Sequence, residues 1–174
     1  MNTRLKACVL ALGLALAGPG LFPGAAPATA QTLRPHEPFN PAKAQSLATS
    51  PLTIEAGGKT LTFTVELAST AREQEIGLMH RNVMAENHGM LFDFHEERRA
   101  AFWMRNTFIP LDMVFIRANG EIEAIKDNAV PHSEAPIGPQ APVRAVLELV
   151  GGAALKMGIK PGDRVHHAVF GNAP

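Results

Sequence analysis

The chain is poor in the residues that most often carry chemistry. It has one cysteine, one tryptophan and no tyrosine among 174 residues, and only 18% of its positions are charged. The one cysteine, Cys8, lies inside an apolar N-terminal run, Ala7 to Ala17. If that run is removed after synthesis, no disulfide, thiolate nucleophile or cysteine-bound metal is possible in what remains. Charge of one sign is missing as well. There are 16 Lys+Arg and 16 Asp+Glu overall, and loss of Arg4 and Lys6 with the first 30 residues leaves 14 basic against 16 acidic. Such a balance gives no electrostatic case for nucleic acid or an anionic membrane as partner. Beyond residue 30 no run approaches the about 20 apolar residues that a membrane span needs. No Gly-x-Ser-x-Gly elbow, phosphate-cradling glycine loop or His-Glu-x-x-His pattern occurs.

The N-terminus has the three parts of a secretory signal. Arg4 and Lys6 precede the apolar run, and Ala28-Thr29-Ala30 offers a small-x-small cleavage site. Residues 1–30 are therefore read as a signal peptide and the protein as periplasmic or secreted, with no stable membrane insertion after cleavage. Residues 31–50, rich in Pro, Ala, Gln and Ser, read as a flexible lead. Residues 51–172 form the domain, long enough for one real core.

Within it, strand signals dominate. Leu61, Phe63, Val65 and Leu67 alternate with threonines and Glu66, the pattern of a half-buried strand. Gly57-Gly58 turns the chain into it from a short strand at 52–55. Thr70-Ala71-Arg72-Glu73 fits a capping box opening a short helix, with Gly77 as its left-handed stop. Further strands are expected at 90–94, 100–104, 111–116, 121–125, 143–150 and 164–170. A charged turn is expected at Glu96 to Arg99, a primed hairpin turn at Asn119-Gly120 and a helical turn at 152–157 ended by Gly158. Arg144 and Glu148 share a strand face, which makes them candidate partners. The segment 127–142, with Pro131, Pro136, Pro139 and Pro142, reads as a long loop and a candidate pocket rim. Many short strands with two short helices predict a mainly β fold: a single antiparallel β-sandwich or barrel-like domain with one or two short helices.

The densest stretch is Phe102 to Phe115. It holds the sole tryptophan and embeds Arg105, Asn106, Thr107 and Asp112 among large apolar side chains. Buried polar groups need partners. The group is thus either a backbone staple for the bend before Pro110 or the edge of a pocket with Trp103 as its apolar wall. The candidate ligand-binding set is Arg81, Trp103, Arg105, Asn106, Thr107 and Asp112. His80, His88 and His95, with Asp93 and the methionines 79, 84 and 90, are the residues that could assemble a metal site on neighbouring loops. Their spacing fits no standard motif, and surface histidines with core methionines explain them as well, so neither metal nor cofactor is expected. Glu73, Asp112, Glu148 and Asp163 are the carboxylates available for a general acid–base pair.

Taken in order, Thr70…Glu73…Gly77-Leu78-Met79-His80-Arg81, Gly89 to Phe94, Phe102 to Asp112, Val146 to Leu149 and Gly158 to Asp163 resemble the family called domain of unknown function 192. The resemblance covers roughly residues 60–167. It implies a compact β fold, exported or membrane-anchored in bacteria, and no established activity. Gln74 departs from the pattern, standing where the family usually has arginine.

Three readings follow. The first is a non-catalytic exported domain that binds a small polar ligand or an envelope protein. The second is a hydrolase of an envelope glycan or other polymer using a carboxylate pair. The third is a structural or assembly accessory. The missing nucleophile motifs favour the first. For the address, N-terminal sequencing of the exported protein is expected to start at Gln31, and a retained Met1 would sink the signal-peptide reading.

Overall fold

The computed structural model describes residues 36–173, so the expected signal peptide and its cleavage site lie outside the described residues. The elements are β1 (Thr49–Ala56), β2 (Lys59–Ala68), α1 (Ala71–Ile76), β3 (His88–Arg98), β4 (Leu111–Ile116), β5 (Ile122–Ala129), β6 (Val143–Val150), α2 (Ala153–Met157) and β7 (Arg164–His166). The seven strands form one sheet in the order β5-β4-β6-β3-β2-β1-β7, curled into a half-barrel. The fold is mainly β, as expected. Every pairing is antiparallel except β2–β3, which is parallel because α1 carries the chain back between them.

The two sheet edges meet at one end. Val165 N–H donates to Gly120 C=O, and Ile122 exchanges backbone bonds with Asp163 and Gly162, at 2.8–2.9 Å. Gly120 makes this approach possible: a Cβ there would stand 2.4 Å from the Val165 carbonyl oxygen. Its turn is not the expected two-residue primed type. Arg117 N–H bonds Glu121 C=O across three residues, and only Gly120, at φ 84°, has positive φ. That geometry is a tight turn followed by one left-handed residue.

Both faces of the central strands are covered. All six residues of β4 are buried, as are residues 145–149 of β6, which explains their unbroken apolar runs. Alternation then sorts side chains into two cores. One holds Phe63, Val65, Leu91, Val114, Leu147 and α2. The other holds Met90, Phe92, Met113, Phe115 and Val146, under the irregular segment 99–110.

Local signals placed several elements. The Thr70/Glu73 capping box forms in full. Gly158 ends α2 at φ 76°, whereas Gly77 ends α1 at φ 49°, ψ −133°, outside the left-handed helical region. Other expectations change. The strand expected at 100–104 does not form. Phe102 instead exchanges 2.7 and 2.9 Å backbone bonds with Ile137, and Met104 N–H bonds Ser133 C=O. The proline-rich loop therefore supplies the partners that a sheet strand would have supplied. Glu96 to Arg98, expected in a turn, extend β3 on its exposed end. The last strand stops at His166, and Ala168–Phe170 makes a 3-10 turn capped by the His167 side chain. In the lead expected to be flexible, residues 36–48 are held to the domain. Gln45 Nε2 donates to the Glu73 and Gly77 carbonyls, Asn40 N–H bonds His80 Nδ1, and Arg81 reaches the Gln45 carbonyl.

The strongest polar fixture is Asp112, which is fully buried. Its carboxylate accepts from the backbone N–H groups of Asn128 (2.8 Å), Gly152 (2.9 Å) and Ala154 (2.9 Å). The N-cap residue of α2, Gly152, has no side chain to cap the helix, so a carboxylate from β4 does so across the fold. Asp112→Asn is expected to lower stability by on the order of 3 kcal/mol, because its amide NH2 must face a backbone N–H it cannot accept from. A denaturant midpoint unchanged from wild type would show that the three bonds are not what holds α2.

Candidate functional site

A cleft of about 500 Å3 opens between α1 with its exit (Gly77, Leu78, Met79), the outer half of β3 and the irregular segment 98–107. Its walls are aromatic: Phe92, Phe94, Phe102 and Trp103. Phe102 stands edge-on to Phe92 at 5.1 Å between ring centres, so the wall is itself packed. Trp103 is 49% exposed, unusual for a large aromatic in a chain with only one tryptophan. At the rim, the Arg98 guanidinium lies 4.0 Å over the Phe94 ring and bonds Gln74 Oε1. Gln74 in turn donates to the Asp93 carbonyl (2.7 Å) and the Ala68 carbonyl (3.3 Å).

Glu148 also lines the cleft. It is 4% exposed, and its carboxyl makes no hydrogen bond or ion pair among the described residues. Its cross-strand neighbours are Met90 and Met113, neither of which can stabilise a charge. Burial pushes the carboxyl up to about 8, so at neutral pH it is protonated and can donate.

The sequence candidates divide. Trp103, Arg105 and Thr107 line this cleft. Arg81 does not; both its terminal nitrogens bond Glu66, at 2.6 and 2.8 Å, beside a smaller hollow. Asn106 is buried at φ 52° and accepts from Glu37 N–H, which ties the segment before β1 to the bend. Thr107 Oγ1 donates to the Arg105 carbonyl. Asp112 points away from the cleft, because it alternates with Leu111 and Met113 of the cleft-side core. It does not pin the local bend or meet Arg105; its partners lie 16 to 42 residues away. Arg144 pairs with Asp93 and not with Glu148. Residues 127–142 brace the cleft wall from behind and form no part of its lining.

Of the four carboxylates considered for acid–base work, only Glu148 faces the cleft. Glu73 serves the capping box, Asp112 holds three amides, and Asp163 accepts from Lys160 N–H in its turn. The three weighed histidines do not converge. His80 is buried against Phe108, His88 bonds Asn87, and His95 sits beside Asp93. Among the described residues no three His, Cys, Asp or Glu are grouped as an ion would require.

In the sequence Glu148 is an acid inside the apolar run 143–150, a candidate partner of Arg144 and one of four candidate acid–base carboxylates. An acid inside a run whose strand faces should both be covered is the sequence signal that points to this cleft.

Fold and cleft together define a small half-barrel β domain with one aromatic-walled cavity over a buried acid. The chain belongs to the family described as Uncharacterized ACR, domain of unknown function 192, whose model matches residues 52–167. Two solved structures are similar to it. One is a candidate transcription regulator from Sinorhizobium meliloti 1021, 48% identical at a TM-score of 0.70, covering 72% of this chain and 98% of that one. The other is a protein of unknown function from Novosphingobium aromaticivorans DSM 12444, 42% identical at a TM-score of 0.68, covering 70% and 86%. No curated protein matches the chain.

The state of Glu148 gives a pH test. Its proton affinity is higher folded than unfolded, so folding is favoured at low pH and that advantage is lost as pH rises toward 8. His132 and His167, held below the usual histidine range by burial, act the other way, but only below about pH 6.5. Between about pH 6.5 and 8, wild-type stability is therefore expected to fall with pH while Glu148→Gln stays flat. Over its whole window the Glu148 contribution is on the order of 5 kcal/mol. Parallel curves of unfolding free energy for the two proteins across that range would refute the assignment.

Proposed function

We propose that the protein is a non-catalytic binding module of the cell envelope that takes a small organic molecule in the cleft between α1, β3 and the 98–107 segment. The observation that carries this reading is Glu148: a buried carboxyl with no partner among the described residues, facing a cavity. A polar group is costly to bury unpaired, and a ligand that accepts its proton in a hydrogen bond would relieve that cost. The volume falls within the range of small-molecule sites, and aromatic walls with few polar groups suit one. The envelope address rests on the signal-peptide reading of residues 1–30.

Hydrolysis of a glycan needs a second carboxylate about 5–9 Å from the first. Glu75 also lines the cleft, but it is paired with Arg72 on the exposed face of α1. A role in transcription, suggested by the description of the S. meliloti protein, finds little support in a near-neutral chain whose α-helices among the described residues have six and five residues.

Trp103 supplies the test. Titration with a panel of small carboxylates, phosphate esters, sugars and alcohols is expected to change its fluorescence and raise the melting temperature for at least one class. Trp103→Ala should weaken that binding about tenfold while costing little stability, since the side chain is half exposed. A panel that moves neither signal would overturn the reading.

A further inference from the structure

The arginines of the domain fall into two groups. Arg72, Arg81, Arg117 and Arg144 are each paired with a carboxylate. Arg98, Arg99 and Arg105 are not, among the described residues, and all three line the cleft. Their protein contacts are slight. Among the described residues, Arg98 gives one bond to Gln74 and covers Phe94, Arg99 gives one 3.4 Å bond to the Gln140 carbonyl, and Arg105 gives none. Arg164, also without a carboxylate, is spent on the Asn119 carbonyl elsewhere. The nearby acids are engaged elsewhere: Glu75 is held by Arg72, Glu37, which feels the Arg105 charge, is paired first with Lys43, and Glu148 lies buried in the lining. A guanidinium presents a planar fork of donors that matches an oxyanion, and three at one opening make a local field selecting negative ligands.

Building on the cleft as a ligand site, we propose that its occupant is an organic oxyanion, held by its charged end among Arg98, Arg99 and Arg105. Its apolar body lies along Phe94 and Trp103 and reaches toward Glu148. A carboxylate and a phosphate monoester share this chemistry, and both are anions on an apolar stem.

The experiment uses benzoate, phenyl phosphate and uncharged benzyl alcohol as probes on the full chain, read by Trp103 fluorescence. At least one anion is expected to bind ten times or more tighter than benzyl alcohol, and the ratio of the two anions tells carboxylate from phosphate. Arg105→Gln should weaken the anion at least tenfold and leave benzyl alcohol unchanged. Raising the salt from 0.05 to 0.5 M, values chosen on the order of the screening range, should weaken only the anion in the wild type, which tests the charge without any substitution. Benzyl alcohol binding as tightly as either anion, with no salt effect, would overturn the oxyanion while leaving the cleft a ligand site. No response to any probe would overturn both.

Discussion

A single buried carboxylate fixes how the outer parts of this fold meet. Asp112 sits near the start of β4, one strand in from the β5 edge, with no exposure, and an ion there is tolerable only if its lone pairs are filled. Three backbone amides fill them, one from the end of β5 and two from the start of α2. Those amides would otherwise be orphans, since helix termini and strand ends leave N–H groups unpaired. The same charge that is costly to bury thus becomes the cap that α2 lacks in its own sequence. Gly151, between β6 and α2, passes so close to Pro110 that a Cβ would stand 2.8 Å from it, so the bend before β4 and the end of β6 are held in register as well.

One strand away, Glu148 shows the opposite solution. Met113 pairs with Glu148 and Asp112 with Leu149, so the two acids lie on neighbouring strands but on opposite faces. Asp112 faces backbone donors and is fully engaged. Glu148 faces methionines and an open cleft, and burial keeps its proton on. An acid engaged by the fold and an acid left facing a cleft are therefore told apart by what stands opposite them, not by depth, since both are buried. Gln74 adds to this contrast. Where the family pattern has arginine, this chain has an amide that bridges two carbonyls and the Arg98 guanidinium. The cleft rim at that point is shaped by two amide–carbonyl bonds and one charge-assisted bond from Arg98.

The segment before β1 shows how composition can mislead. Residues 36–48 have no apolar period, yet Glu37 is tied to the bend at Asn106, Asn40 to His80 and Gln45 to the end of α1. His36 stacks at 4.6 Å on His132, and Phe39 meets Phe108 edge-on. These contacts pair scattered side chains with partners at least 28 residues away. A polar, proline-rich stretch carries no mark of such docking, because its partners belong to other elements.

Read alone, the sequence determined what depends on neighbours a few residues apart. The alternation of 61–67 sets a strand, Thr70 and Glu73 set a helix start, and the unbroken apolar runs at 111–116 and 143–150 set strands covered on both faces. Period and capping act within one or two turns of chain, so they are legible without the fold. The tertiary structure decided which polar residues meet. It set Asp112 and Arg81 away from the cleft, placed Trp103, Arg105 and Thr107 in its lining, and brought Glu148, Arg98 and Arg99 beside them. It also replaced the strand at 100–104 with a pairing to the proline-rich loop. Each of these outcomes depends on which face of a strand, or which distant backbone amide, lies opposite a side chain. That is settled only when sheet order and register bring residues from distant parts of the chain together.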